Sequence, residues 1–295
     1  MSKLDPVALF RTLVRDLPAD LRGDVFVTGS LAAAYAFNVR LRGQGVNTKD
    51  ADLLVHPAGN VDGARGMAER LLAIGWRPTA QCKPTVELPA DPGQLWAIRL
   101  TPPGSSEYFV EFLNVPGEEQ AEAKLWIPVR VGGGWYGLPS FKFMGLLGGF
   151  RRTSDEGLEY AAPEMMALAN LLSHPVVNDV AIESGEFRGL RRCAKDLGRV
   201  LALAYLSGRD ETEGWLARWR DAIARSFPRT WRAHAARTGA GLREMMADDG
   251  VMDEARRTTD AGLLNGMGVD ASALRGVGAR LVGDVIEPFE IGARG

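Results

Sequence analysis

The sequence predicts an α/β (α+β) N-terminal domain over residues 1–150, followed by an all-α C-terminal domain over residues 151–295. Three observations predict it. The chain has 295 residues, more than the roughly 100–200 of one typical domain. As far as about residue 160, short apolar runs bounded by glycine and proline alternate with helical patterns. Beyond that point strand signals vanish and helical periodicity takes over, the pattern of two differently built halves.

The elements follow in order. In residues 6–17, Val7, Leu9, Phe10, Leu13, Val14 and Leu17 fall at helical spacing, and Asp5-Pro6 is a good helix start. Residues 24–28 (DVFVT) form a short strand stopped by Gly29, and the alanine-rich stretch from Ser30 to about Val39 reads as a helix. Residues 51–55 form a second strand and 62–75 a helix closing at Gly75. Residues 96–100 and 108–114 read as strands joined by a Pro-Pro-Gly-Ser-Ser loop, and 127–131 with 135–138 as a hairpin around glycines. Helices are expected at 163–173, 188–206, 211–225 and 228–247, with shorter ones to about residue 283.

Composition excludes several classes. There are 35 basic and 37 acidic residues, a net charge of −2, which argues against a protein that coats nucleic acid. Apolar residues at 46% and charged residues at 24% are ordinary for a globular chain. No apolar run approaches the roughly 20 residues that span a bilayer, so no membrane partner is expected. The N-terminal residues contain no apolar signal core. Two cysteines, Cys82 and Cys193, cannot build a disulfide framework, and a reducing, cytoplasmic setting is the simplest expectation. The three histidines, His56, His174 and His234, are far apart and read as structural or surface residues.

The chemistry is concentrated in three pieces. First, a strand ends in Gly29-Ser30 and a helix begins at once. Glycine allows a tight turn and close approach to a ligand. The free N–H groups and positive dipole end of the helix favour an anion such as phosphate. Second, Asp50-Ala-Asp52 opens an apolar strand, so two carboxylates stand on one face at the rim of a core. Two such oxygens suit a shared hard divalent cation, with phosphate oxygens completing its shell. Third, Glu111 lies inside the apolar strand 108–114. A buried carboxylate needs a partner, and a cation held by Asp50 and Asp52 would be one.

In this order the three pieces resemble the polymerase-beta-like nucleotidyltransferase superfamily. The text GSLAAAYAFNVR followed by TKDADLL is most similar to its toxin-like (AbiEii-type) and uncharacterised branch, in which a Thr-x-Asp-x-Asp string, here Thr48 to Asp52, opens the metal strand. YAAPEMMALANLL (160–172) and RCAKDLGRVLAL (192–203) are similar to that branch's later helical segments. The resemblance covers roughly residues 20–206. The sequence departs from the pattern in three places. Nineteen residues separate Ser30 from Asp50, the third acid is Glu111 rather than Asp, and Asn170 stands where relatives often have Lys.

The resemblance implies a nucleotidyltransferase-like N-terminal domain with a mixed sheet, and Mg²⁺- or Mn²⁺-dependent transfer of NMP from an NTP to a hydroxyl of RNA, protein or a small molecule. Asp50, Asp52 and Glu111 would be the catalytic and metal-binding residues. Gly29 and Ser30 would cradle the triphosphate, with Lys195 of the helical half as a further nucleotide contact. A toxin-like member would have an antitoxin partner.

Two rival readings stand beside it. One is a catalytically silent nucleotide-binding or interaction module on the same fold, favoured by the long Ser30–Asp50 spacing and the atypical third acid. The other is RNA binding by the helical half. Residues 188–243 hold 13 basic against five acidic residues, with Trp215, Trp219 and Trp231 among them. Trp215 and Trp219 are four apart, which favours one buried helical face over base stacking.

Overall fold

The computed structural model describes residues 3–115, 117–119, 124–177, 180–183 and 187–294. The side chains of residues 174–177, that of His174 included, lie outside the described part. The chain forms two compact units, Met1–Ala161 and Ala162–Gly295.

The first unit is mixed α/β. Helix α1 (Pro6–Asp16) starts where the Asp5 carboxylate accepts the N–H groups of Val7 and Ala8, and it buries Leu9, Phe10 and Leu13. Strand β1 (Val25–Thr28) is buried along its whole length. Helix α2 (Gly29–Ala36) follows without a connecting loop, as the sequence predicts. Strand β2 (Asp50–Val55), helix α3 (Val61–Ala73) and strand β5 (Phe109–Asn114) also fall where expected. So does the hairpin of β6 (Leu125–Val131) and β7 (Gly134–Ser140).

Three short strands escape the sequence pattern: β3 (Arg77–Pro78), β8 (Arg151–Thr153) and β9 (Glu159–Ala161). Two or three residues are too few for a period to show. Strand β4 is Arg99–Thr101, not 96–100. Residues 96 and 97 run instead beside β7: the Gly137 N–H donates to the Trp96 carbonyl, and Ala97 bridges Gly137.

The sheet of nine strands among the described residues has the order β3-β4-β5-β2-β1-β9-β8, with the β6–β7 hairpin joined to β5. It is mixed, as expected. β1 runs antiparallel to β2 and parallel to β9, whereas β2 runs parallel to β5. The β1–β9 pairing corrects the expected domain boundary. Because β9 pairs with β1 and β8 with β9, residues 151–161 belong to the sheet, and the units divide after Ala161 rather than at 150.

The second unit is helical. It contains α4 (Pro163–Val177), α5 (Arg192–Glu213), α6 (Trp215–Ser226) and α7 (Trp231–Ala235). α8 (Ala240–Ala247), α9 (Asp249–Ala261), α10 (Ala271–Leu281) and α11 (Glu287–Arg294) complete it. The single helix expected over 228–247 is two. They part near Gly239, whose N–H donates to the buried Glu290 carboxylate at 2.8 Å instead of continuing a helix. A π-helical stretch, Val282–Ile286, joins α10 to α11.

Trp215 and Trp219 are fully buried. Their ring centroids lie 5.7 Å apart, Trp219 packs edge-on against Phe289, and its indole N–H donates to the Glu164 carbonyl at 2.8 Å. They are core residues, so neither offers a face for a base. No helix among the described residues is long and apolar enough to cross a membrane.

Candidate active site

Ladder register builds the site. Thr28 on β1 stands opposite Asp52 on β2, Asp52 stands opposite Glu111 on β5, and Glu111 stands opposite Arg99 on β4. Residues directly opposite each other in a ladder put their side chains on the same face, one strand spacing of about 4.8 Å apart. Thr28, Asp52, Glu111 and Arg99 therefore form one row across four strands. Asp50, two residues before Asp52, shares that face at the strand end. Farther along the same face the residues become apolar: Phe26 and Leu54 are fully buried. The polar row thus sits at the rim of a core, as the order of residues in β2 predicts.

Gly29 closes one side of the row. Its φ is +71°, a left-handed value that favours glycine. A Cβ on Gly29 would lie 2.3 Å from Oδ2 of Asp52. Backbone and carboxylate are therefore in a contact that only glycine permits. Ser30 sits in the first turn of α2. The structure thus brings together Gly29, Ser30, Asp50, Asp52 and Glu111, five of the six residues singled out by sequence. The sixth, Lys195, lies on α5 of the second unit with its ammonium 5.1 Å from the Phe187 ring centroid.

Three interactions set the orientation of the acids. The first is the seat of Asp52 against Gly29. In the second, the Thr48 hydroxyl, itself buried, donates to Oδ1 of Asp50. This gives the threonine of the Thr-x-Asp-x-Asp string a physical role: it fixes one oxygen of the more exposed aspartate. In the third, the Arg99 guanidinium donates through Nε to Oε2 of Glu111 at 2.6 Å, and it lies 5.3 Å from the Phe109 ring centroid. Glu111 is only 9% exposed, so it does need a partner, but that partner is Arg99. Burial works against the Arg99 charge. The Glu111 carboxylate, with smaller contributions from Cys82 and Asp50, outweighs burial and holds the guanidinium above its ordinary range.

Arg99 is the site residue that sequence reasoning missed. Its signal was there: a lone cation in the run Trp96–Leu100, in a chain whose next strand carries a lone buried acid.

Among the described residues, no three His, Cys, Asp or Glu side chains converge closely enough to hold a metal ion. Glu111 is turned to Arg99, which leaves Asp50 and Asp52 as the donor pair. Two carboxylates on one strand face, one of them seated against a side-chain-free glycine, are a chemically suitable set for a hard divalent ion that takes further oxygens from a ligand. Glu111, as it is paired, does not fit as a third ligand. The chain matches no family model and no curated protein.

Proposed function

We propose that the protein is a divalent-metal-dependent nucleotidyltransferase, moving NMP from an NTP to a hydroxyl of an RNA, a protein or a small molecule. The observation that carries this reading is the seating of Asp52 against Gly29, at the N-terminus of α2 and beside Asp50. It supports one compact place for both an anionic ligand and its cation. Asp50 and Asp52 would hold Mg²⁺ or Mn²⁺, which when bound would offset triphosphate charge and polarise the phosphorus.

The chain's own groups do the rest. Backbone N–H groups at the Gly29-Ser30 turn and the Ser30 hydroxyl receive the outer phosphates. Thr48 keeps Asp50 turned for its task. Lys195 enters on the resemblance alone, as a further contact to the triphosphate. In the transfer, the acceptor oxygen bonds to the α-phosphorus as the bond from that phosphorus to the bridging oxygen breaks. Pyrophosphate leaves, and the hydroxyl proton passes to a carboxylate of the row and then to solvent. The toxin-like resemblance favours RNA or protein as acceptor and an antitoxin as partner.

One observation favours a second reading. The Arg99–Glu111 ion pair occupies the third acid, as a catalytically silent nucleotide-binding module on this fold would allow. The test is incubation with each α-³²P-labelled NTP, Mg²⁺ or Mn²⁺, total RNA and cell lysate, beside an Asp50→Ala/Asp52→Ala double variant. Label entering RNA, protein or a small molecule with the wild type alone supports transfer and identifies the acceptor class. No label transferred, with NTP binding that is unchanged in the double variant, supports the silent module.

A further inference from the structure

The part of the site that the proposed function leaves unexplained is the cation already present in it. Arg99 is not a surface arginine that happens to touch an acid. It stands directly opposite Glu111 in the β4–β5 ladder and bonds Oε2 at 2.6 Å. Its guanidinium lies 5.3 Å from the centroid of the Phe109 ring, and Phe109 is the residue opposite Asp50. About a third of its side chain is exposed, against 12% for Glu111. A permanently charged, planar group is thus bonded through Nε to the third acid while part of the side chain stays exposed. A guanidinium cannot lose its proton at any working pH, so this charge is a constant feature of the site.

We propose that Arg99 is the built-in second cation of the site. The guanidinium satisfies Glu111 where a second divalent ion would otherwise be needed, and the site takes one divalent ion, on Asp50 and Asp52 alone. This rests on the proposed function and deepens it. The three carboxylates on this face, Asp50, Asp52 and Glu111, must be balanced in charge. Two like charges a strand spacing apart repel, and each needs a counter-charge when water is partly excluded. On the proposed function, Asp50 and Asp52 hold the one divalent ion between them. Glu111, deeper and walled in by β4, has its counter-ion supplied covalently by the chain. A divalent ion would have to displace a charge-assisted hydrogen bond to reach Glu111, and such bonds are roughly twice as strong as neutral ones. Arg99 is on this account a positioning residue. It fixes the stoichiometry of the site, and its exposed part can meet the ligand's phosphates.

The experiment is a titration of the full chain with Mn²⁺ alone, reading bound ion from the loss of the free Mn²⁺ electron paramagnetic resonance signal. Wild type is expected to bind one Mn²⁺. Glu111→Gln keeps one, because Glu111 is not a ligand. Arg99→Gln frees Glu111 and raises the count to two. Asp50→Ala/Asp52→Ala binds none. Two ions in the wild type, or a loss of the single ion in Glu111→Gln, overturns the inference while leaving a metal site in place. One ion in a folded Arg99→Gln protein, verified by circular dichroism, also overturns it. No Mn²⁺ bound by the wild type removes the proposed metal-dependent function itself, and the inference with it. The wild-type and Glu111→Gln counts decide the matter even if Arg99→Gln does not fold.

Discussion

Replacing Gly29 with alanine probes the seating of Asp52 directly. Two separate effects follow from the structure. The residue has φ +71°, where an L side chain costs about 1–2 kcal/mol. The added Cβ would also stand 2.3 Å from Oδ2 of Asp52. A carbon and an oxygen need about 3.3 Å, so the carboxylate must retreat by roughly 1 Å. Turning Asp52 off its rotamer to do so costs about 0.5–1.5 kcal/mol. The sum is a destabilisation of about 1.5–3.5 kcal/mol. At about 2–4 °C per kcal/mol for a unit of this size, the melting temperature falls by roughly 3–14 °C. Gly104→Ala separates the two effects. Gly104 has φ +74° with open space around a would-be Cβ, so it carries the conformational cost alone. The assay is thermal unfolding by circular dichroism together with Mn²⁺ binding. Gly29→Ala should melt below Gly104→Ala and bind Mn²⁺ at least roughly tenfold more weakly than wild type, a loss of about 1.4 kcal/mol. Gly104→Ala should bind the ion normally. Equal melting temperatures with unchanged Mn²⁺ binding in both variants would refute the contact on which the site is built.

Other predictions are smaller. Trp219→Ala empties a fully buried position and should destabilise the helical unit by about 3–5 kcal/mol. Trp219→Phe keeps most of the packing, loses the bond to the Glu164 carbonyl, and should lose about 1 kcal/mol; denaturant unfolding followed by tryptophan fluorescence measures both. His56 has its pKa lowered, first by burial and then by the Arg151 charge, with Glu159 opposing. Its contribution to stability is therefore fully present above the unfolded value of about 6.5 and is lost as pH falls below it towards the depressed folded value. His56→Gln should flatten that part of the stability–pH curve, and a Gln variant as acid-sensitive as wild type would count against it.

What the sequence made legible was local. The two aspartates on one face follow from a period of two. The turn into α2 follows from Gly29-Ser30, and the burial of Trp215 and Trp219 from their spacing of four. What it concealed depended on pairing between distant segments. Asp52 faces Glu111 through the parallel register of β2 and β5, and no local pattern sets a register between segments so far apart. Arg99 was hidden for the same reason. Its meaning depends on β4 beginning at Arg99 and on Glu111 lying opposite it. The domain boundary moved from 150 to Ala161 because two three-residue strands, too short to show a period, complete the sheet.

Whether this site transfers NMP is decided by the fate of each phosphate of one nucleotide. The full chain is incubated with Mg²⁺, acceptor-containing lysate and ATP labelled in either the α or the γ position, and the same is done for the other NTPs. Nucleotidyl transfer predicts that the α label becomes attached to an acceptor while the γ label leaves as pyrophosphate, with both events lost in Asp50→Ala/Asp52→Ala. Attachment of the γ label would contradict it, since the terminal phosphoryl group would then be the one transferred. No attachment of the α label and no pyrophosphate released, for any NTP and with Mg²⁺ or Mn²⁺, would contradict it as well.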